Sequence, residues 1–137
     1  MTRSDLRALL KNVKTIAVVG LSPKPERPSH SVAFYLQRAG YRIVPVNPGH
    51  ERVLGERSYP SLTAAARDHP IDVVDVFRRS ELAGVVVDEA IALKPPPKLI
   101  WLQEGVVDRD AASRAAAVGI PFVMDRCLAV EHRTLED

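Results

Sequence analysis

The segment between residues 20 and 29 concentrates side chains that can bind phosphate. It reads GLSPKPERPS and carries two hydroxyls, at Ser22 and Ser29, and two cations, at Lys24 and Arg27. Ammonium and guanidinium groups form charge-assisted hydrogen bonds with phosphate oxygens, and hydroxyls also donate to them. The segment therefore indicates a site for a phosphorylated ligand, with a merely solvated basic loop as the alternative.

A nucleophile or an acid–base pair is harder to find in the sequence. Cys127 is the only cysteine and has no base beside it, so we interpret it as a structural, mostly buried residue. Asp75 interrupts an apolar run, and an unpaired buried carboxylate is costly, so we expect it to pair with Arg78, Arg79 or a backbone donor. No spacing of histidine, cysteine and carboxylate residues indicates a metal site.

Composition limits the classes of protein to which the chain can belong. It has 137 residues, a net charge of +2, 46% hydrophobic residues and one cysteine. The low net charge argues against nucleic-acid binding, and no apolar segment is long enough to predict a membrane span. The first residues lack the apolar core of a signal peptide. We therefore expect one domain, residues 1–137 with a core at about 10–132, in the cytoplasm.

Apolar runs alternate with helical patterns along the chain. Short apolar runs predict strands at residues 15–19, 41–46, 73–77, 98–102 and 121–124. Helices are predicted at about 4–11, 29–39, 62–68, 80–93 and 108–118, with Ser29, Ser80 and Asp108 as N-caps, before a frayed last turn. Residues 53–55 and 59–60 are predicted as irregular extended pieces. This alternation predicts an α/β fold, a doubly wound sheet of about five parallel strands with helices on both faces, in the order 3-2-1-4-5 or close to it.

In such a sheet, ligands bind beyond the carboxyl ends of the strands, beside the first strand. NAD binding there requires three glycines after that strand and an acidic residue at the end of the second strand. This chain has only Gly20 in the loop, where Pro23 and Pro25 lack backbone donors, and it has Asn47 in place of the acid. The sequence therefore disfavours NAD.

Five segments at these strand ends resemble one family. They are, in order, VVGLSPKPERPSHSV, YRIVPVNPGHERVLGERSYPSL, VDVFRRSE, WLQEGVV and DRC. Over about residues 10–132 they resemble the small stand-alone coenzyme A (CoA)-binding proteins, which are similar to the N-terminal domain of the succinyl-CoA synthetase alpha subunit. The resemblance implies a Rossmann-like fold that holds CoA by its 3′-phospho-ADP part and its pyrophosphate.

The resemblance also implies which residues contact CoA, and the loop chemistry described above adds Ser29. The expected residues are Gly20, Ser22, Pro23, Lys24, Arg27 and Ser29 at the phosphates; Pro45, Val46, Asn47 and Pro48 beside the nucleotide; Phe77 and Arg78 after the third strand; and Gln103, Glu104 and Gly105 along the pantetheine arm. Asn47 suits a 3′-phosphate because an acid there would repel it. We expect Asn47→Asp to weaken CoA binding while leaving stability nearly unchanged.

The chain departs from the synthetase in one respect. Chemistry there needs a phosphorylated histidine on a further domain, which this sequence lacks, and His30, His50, His69 and His132 match no such motif. The simplest interpretation of His50 is an exposed turn residue. We therefore predict a non-catalytic protein that binds CoA or acyl-CoA.

Two other classes of protein are also compatible with the sequence. One is an NAD(P)-dependent or acyl-CoA-dependent enzyme, and the other is an interaction protein with a vestigial nucleotide pocket. A mixed disulfide between Cys127 and the CoA thiol is a minor alternative. We expect no nucleic-acid or membrane partner, and association with a second copy or another protein is left open.

Overall fold

A parallel sheet forms the centre of the protein, as seen in a computed structural model that describes residues 1–136. The strands of the sheet are β1 (Thr15–Val19), β2 (Arg42–Val46), β5 (Val73–Val76), β6 (Leu99–Leu102) and β7 (Phe122–Val123), and a separate antiparallel pair consists of β3 (Arg52–Val53) and β4 (Glu56–Arg57). All pairings within the five-stranded sheet are parallel. The predicted α/β class is therefore confirmed.

Six helices cover the two faces of the sheet. They are α1 (Arg3–Leu10), α2 (Pro28–Arg38), α3 (Leu62–Asp68), α4 (Ser80–Ile91), α5 (Arg109–Ala117) and α6 (Leu128–Glu136). One core cluster joins α3, α4 and α5 to one face, and the other joins α1, α2 and α6 to the opposite face. Because side chains alternate along a strand, β1 contributes Ala17 and Val19 to the first cluster and Ile16 and Val18 to the second.

The strand order differs from the prediction. The sheet runs β2-β1-β5-β6-β7, so the third long strand lies beside β1 and β2 is at the edge. Pro45 gives the physical reason. The N–H of Arg42 donates to the carbonyl of Lys14 at 2.8 Å, so alternate residues of β2 face β1 and the nitrogen of Pro45 faces outward. In the predicted order that nitrogen would face a neighbouring strand and one ladder hydrogen bond would be lost.

Two helices begin differently from the prediction. α2 begins at Pro28 with Arg27 as its N-cap, and α4 begins at Ser80 with Arg79 as its N-cap, so neither Ser29 nor Ser80 is a cap. Proline fits the first helical position because its ring fixes φ and the missing N–H would have no partner there.

The predicted cap of α5 is confirmed. The carboxylate of Asp108 accepts a hydrogen bond of 2.9 Å from the N–H of Ala111. This bond satisfies one of the backbone donors left free at the beginning of a helix.

Two further segments are more ordered than predicted. The pieces expected to be irregular include the β3–β4 hairpin, whose turn has positive φ at Leu54 and Gly55. The expected frayed turn is α6, which buries Leu128, Ala129 and Leu135 against the sheet and α2. None of the helices in residues 1–136 is both long enough and apolar enough to cross a membrane.

Candidate functional site

Gly20 ends β1 and allows the chain to pass close to β5. It has a φ of +90°, and a Cβ at this position would overlap the carbonyl oxygen of Phe77. The N–H of Gly20 donates to Val46 and that of Phe77 donates to Val19, each at 2.8 Å, so the ladder continues beyond the strands on both sides. A glycine is required here because any side chain would meet backbone.

A cleft of about 930 Å³ opens beyond the carboxyl ends of the strands. It lies beside β1 and β5, two neighbouring strands from which the chain continues in opposite directions, to β2 on one side and to β6 on the other. Doubly wound sheets bind ligands at such a point. The predicted residues that line it are Gly20, Ser22, Pro23, Lys24, Arg27, Ser29, Asn47, Phe77, Arg78, Gln103, Glu104 and Gly105.

Three predicted site residues do not line this cleft. Pro45 and Val46 are buried within β2, and Pro48 is exposed beyond it. The resemblance placed all three beside the nucleotide, but only Asn47 of this segment reaches the cleft. A side chain within a strand packs against the helices above and below the sheet, whereas the first residue after the strand can face the carboxyl edge.

Six other residues line the cleft, and of these only Cys127 had been considered beside the ligand, as the partner in a mixed disulfide. They are Pro28, Val32, His50, Arg79, Val106 and Cys127. His50 is exposed in a turn as predicted, yet that turn borders the cleft. Their positions just after strand ends, or in the first turns of α2, were the available signal.

Cations surround the cleft without being neutralised. Lys24, Arg27 and Arg78 form no ion pair within residues 1–136. Arg79 reaches Glu81 only at 3.9 Å with both side chains exposed, an interaction of little strength. The cleft therefore favours an anionic ligand.

The hydroxyls of the loop after β1 hold its backbone. Ser29 Oγ accepts a hydrogen bond of 3.0 Å from the N–H of Ser22, and Ser22 Oγ accepts one of 3.1 Å from the N–H of Lys24. Each hydroxyl accepts a hydrogen bond, so its own proton stays available to a ligand oxygen. At the beginning of α2, the N–H groups of His30 and Ser31 donate to the carbonyl of Arg27, so they are not free to bind a ligand.

Asn47 ties the loop after β2 to the loop after β1. Its Nδ2 donates to the carbonyl of Leu21 at 2.7 Å, and its backbone bonds to Tyr59 and Ser58. The side chain therefore has a structural role as well as a place in the cleft wall. The expectation that Asn47→Asp would leave stability nearly unchanged does not fit this contact, because a carboxylate cannot donate to a carbonyl.

Hydrogen bonds connect the segment after β7 to β6 and to the loop after β6. Asp125 has a positive φ of 61°, and its carboxylate accepts a hydrogen bond of 2.8 Å from the N–H of Gly105. The indole N–H of Trp101 donates to the carbonyl of Arg126 at 2.7 Å, which gives the buried indole the partner it requires. Cys127 follows in the cleft wall and is neither fully buried nor exposed.

Asp75 lies two residues before Phe77, which lines the cleft. It pairs with Val18 on one side and Trp101 on the other, and it is fully buried with no partner for either oxygen within residues 1–136. The predicted pairing with Arg78, Arg79 or a backbone donor is wrong, because both arginines lie beyond the end of the strand and no backbone N–H in the described residues reaches either oxygen. Burial raises the pKa of the Asp75 carboxyl well above its ordinary value, since desolvation penalises the charged form.

The protein has other cavities besides this cleft. One, of about 420 Å³, lies between α1, α6 and β7 and includes Arg3 and Met124.

Within residues 1–136, no group of three or more histidine, cysteine or carboxylate residues is arranged to hold a metal ion.

Comparison with known proteins identifies the family. An uncharacterized protein of Bacillus subtilis (strain 168), YneT, is 40% identical over 131 residues, covering 96% of this chain and 94% of that protein. The structure of cell-free ID.343 from Thermus thermophilus has a TM-score of 0.90 and 41% identity, covering 98% of this chain and 99% of the other. A hypothetical protein from Pyrococcus horikoshii OT3 has a TM-score of 0.90 and 40% identity, covering 100% and 94%.

The family match spans most of the fold. Residues 14–133 fit the model of the family described as the CoA binding domain. This range includes every strand of the sheet, the whole of the first core cluster and most of the second. The predicted resemblance is thereby confirmed, and the chain belongs to the CoA-binding domain family.

Proposed function

We propose that this protein binds CoA or acyl-CoA in the cleft beyond the carboxyl ends of the strands and catalyses no reaction of its own. The observation that carries the proposal is the set of cations, Lys24, Arg27 and Arg78, that have no ion pair within residues 1–136 and surround a cleft at the switch point of a CoA-binding family fold. CoA has three phosphate groups, so it supplies negative charge to these cations.

The distribution of groups supports one orientation of the ligand. The pyrophosphate would lie against the loop after β1, where Lys24 and Arg27 supply charge and Ser22 and Ser29 supply hydroxyl protons. The pantetheine arm would run toward the loop after β6, whose lining is largely uncharged apart from Glu104.

The site is less suited to NAD. The loop has one glycine, whose role is the close approach to Phe77. Asn47 offers an amide where a carboxylate would bind the two hydroxyls of a ribose. An amide tolerates a nearby 3′-phosphate, whereas a carboxylate repels it.

The absence of catalysis is part of the proposal. Within residues 1–136, no hydrogen bond joins Cys127, His50 or Glu104 to one another, so the cleft holds no assembled pair of nucleophile and base. We expect no acyl-CoA hydrolase, synthetase or dehydrogenase turnover. Turnover that survives repurification and disappears in one point variant would overturn this part.

A thermal-shift panel of CoA, acetyl-CoA, NAD, NADP and ATP tests the binding. A ligand at 100 times its Kd stabilises the native state by ~2.7 kcal/mol, which for a chain of this length raises Tm by roughly 9 °C. We expect CoA or acetyl-CoA to give the largest rise. A larger rise with NAD would favour the dehydrogenase class, and no rise with any of them would favour an interaction protein with a vestigial pocket.

A further inference from the structure

Cys127 is held at the cleft by both of its neighbouring peptide groups. The indole of Trp101 donates to the carbonyl of Arg126 at 2.7 Å, and the carboxamide Oε1 of Gln103 accepts a hydrogen bond of 3.1 Å from the N–H of Leu128. Trp101 and Gln103 are two residues apart, so their side chains leave the sheet on the same face. The backbone on either side of Cys127 is therefore fixed while its half-buried thiol lines the cleft.

Gln103 independently indicates a ligand beside this cysteine. The residue is only 4% exposed and lines the cleft, and its Oε1 is occupied by Leu128. Its Nε2 donates to no group within residues 1–136, yet it is not sealed from solvent as the oxygens of Asp75 are. A buried amide with two unused donors requires an acceptor from outside the chain. The amide carbonyls of a pantetheine arm are acceptors of this kind.

The distance across the sheet matches that arm. The phosphate-binding loop follows β1, and Cys127 follows β7, three strands away, which is about 14 Å at the usual strand spacing. The pantetheine arm has about twelve bonds between the pyrophosphate oxygen and the sulfur, and at peptide-like advance it reaches about 14 Å when extended. A CoA molecule anchored at Lys24 and Arg27 would thus bring its sulfur to Cys127.

We propose that Cys127 is a thiol–disulfide exchange site for the disulfide form of the ligand, an inference that rests on the proposed CoA binding. The thiolate sulfur of Cys127 attacks one sulfur of CoA disulfide, and the bond between the two CoA sulfurs breaks. A new disulfide joins Cys127 to one CoA, and the other CoA leaves as a thiolate that takes up the proton lost by Cys127. No further oxidant is needed, because the reactant is itself a disulfide.

The test compares two disulfides on the reduced, full-length protein. Intact-mass spectrometry follows the adduct formed with CoA disulfide and with glutathione disulfide, which lacks the nucleotide. We expect the adduct with CoA to form at least about tenfold faster, to be absent in Cys127→Ser, and to be slowed by acetyl-CoA, which occupies the cleft but cannot exchange. Equal rates for the two disulfides, or no adduct, would overturn the proposal.

Gln103→Glu tests whether the neighbouring amide positions the arm. The substitution keeps an acceptor for the N–H of Leu128 but removes the two N–H donors of the amide, on a residue that lines the cleft. We expect the reaction with CoA disulfide to slow at least about fivefold while that with glutathione disulfide changes less than twofold. An equal slowing of both reactions would mean that Gln103 acts only on the backbone of Cys127 and would overturn its role toward the ligand.

Binding of acetyl-CoA by the wild type and by Cys127→Ser separates this inference from the function on which it rests. If both bind acetyl-CoA and CoA disulfide shows no advantage, the exchange proposal fails and CoA binding stands. If neither binds acetyl-CoA or CoA, both proposals fail. Thermal melts of each variant show whether it is folded, and Cys127→Ser replaces a half-buried thiol by a hydroxyl of similar size.

Discussion

The side chain of Asn47 donates a hydrogen bond of 2.7 Å to the carbonyl oxygen of Leu21, and this contact joins the two loops that border the cleft. One loop follows β1 and carries the cations, while the other follows the edge strand β2. The residue that stands where a dinucleotide-binding protein has an acid therefore also fixes the shape of the site. We therefore expect this one amide to affect both ligand preference and local stability.

Asn47→Asp should consequently lower both stability and affinity for CoA. The carboxylate cannot donate to Leu21 and leaves two oxygens facing each other, so we expect a loss of about 1–3 kcal/mol in the free energy of unfolding. Urea denaturation of the unliganded protein measures it. An unchanged midpoint would show that the contact with Leu21 contributes nothing.

Asn47→Ala separates the effect of the added charge on CoA affinity from the effect of the lost hydrogen bond. It also removes the donor to Leu21 but adds no charge, so the extra loss of CoA affinity in Asn47→Asp reports repulsion of phosphate. We expect that extra loss to be larger for CoA than for dephospho-CoA, which lacks the 3′-phosphate. Equal extra losses would place the 3′-phosphate away from Asn47.

The unpaired cations of the loop after β1 should carry much of the affinity. We expect the Lys24→Ala, Arg27→Ala double variant to bind CoA about tenfold more weakly or worse, which corresponds to ~1.4 kcal/mol. Binding by the wild type should also weaken as salt rises, because exposed charges are screened over about 10 Å at 0.1 M. Calorimetric titration at two salt concentrations measures both effects.

Lys11→Ala with Arg38→Ala is the matched control for this double variant. These cations are exposed and lie outside the cleft, so their removal changes net charge equally without touching the site. We expect nearly wild-type affinity. Similar losses in the two double variants would mean that only overall charge matters and that the loop after β1 is merely solvated.

Gly20 should tolerate substitution far less well than other glycines of positive φ. Gly20→Ala would place a Cβ against the carbonyl of Phe77, whereas Gly119 has a φ of +76° and open space around it. Gly119→Ala should cost only the left-handed backbone penalty of about 1–2 kcal/mol. We expect Gly20→Ala to lose at least about 2 kcal/mol more in urea denaturation, and equal losses would contradict the close approach of the two strand ends.

Asp75 should make the protein less stable as pH rises. Because the native pKa is raised by burial, the native state keeps a proton that the unfolded chain loses above about pH 4. The contribution of Asp75 to the free energy of unfolding is therefore fully present below about pH 4 and is lost as pH rises toward the native pKa. Asp75→Asn removes this titration, so we expect it to gain stability relative to the wild type at pH 8 and less at pH 4.5.

Asp72 provides a control of opposite sign just before the same strand. Burial raises its pKa in part, but hydrogen bonds from the N–H groups of Lys14 and Thr15 and the charge of Lys98 outweigh this and hold it below its ordinary value. Its contribution to stability is present above the unfolded pKa and is lost as pH falls through the native one. Asp72→Asn should thus lose stability at pH 8, and a gain there would contradict the assignment.

Much of this fold follows from patterns of residue type, and the exceptions have local causes. Gly20 and the β-branched run before it predicted β1 and the position of the cleft. The strand order was missed although Pro45 carried the signal, since a proline within a strand favours an edge. The strand order depends on whether the long strand that follows β2 pairs with β1 or with β2. The apolar patterns of the strands are similar, so they do not specify this pairing.

The chemical environment of the site residues was harder to predict from the sequence than the position of the site. Asp75 was assigned a partner because unpaired buried carboxylates are rare, and its actual isolation depends on three-dimensional packing between Val18 and Trp101. Cys127 was placed after the last strand from the sequence alone. The hydrogen bonds that connect its neighbouring peptide groups to Trp101 and Gln103 depend on three-dimensional packing, which the sequence does not display.

A crystal structure of the protein with CoA tests the central claim most directly. We predict the phosphates against the loop after β1, within hydrogen-bond distance of Lys24 and Ser22, the base beside Asn47, and the pantetheine arm along Gln103. CoA bound instead in the cavity between α1, α6 and β7, or crystals without CoA at concentrations far above its measured Kd, would contradict the account.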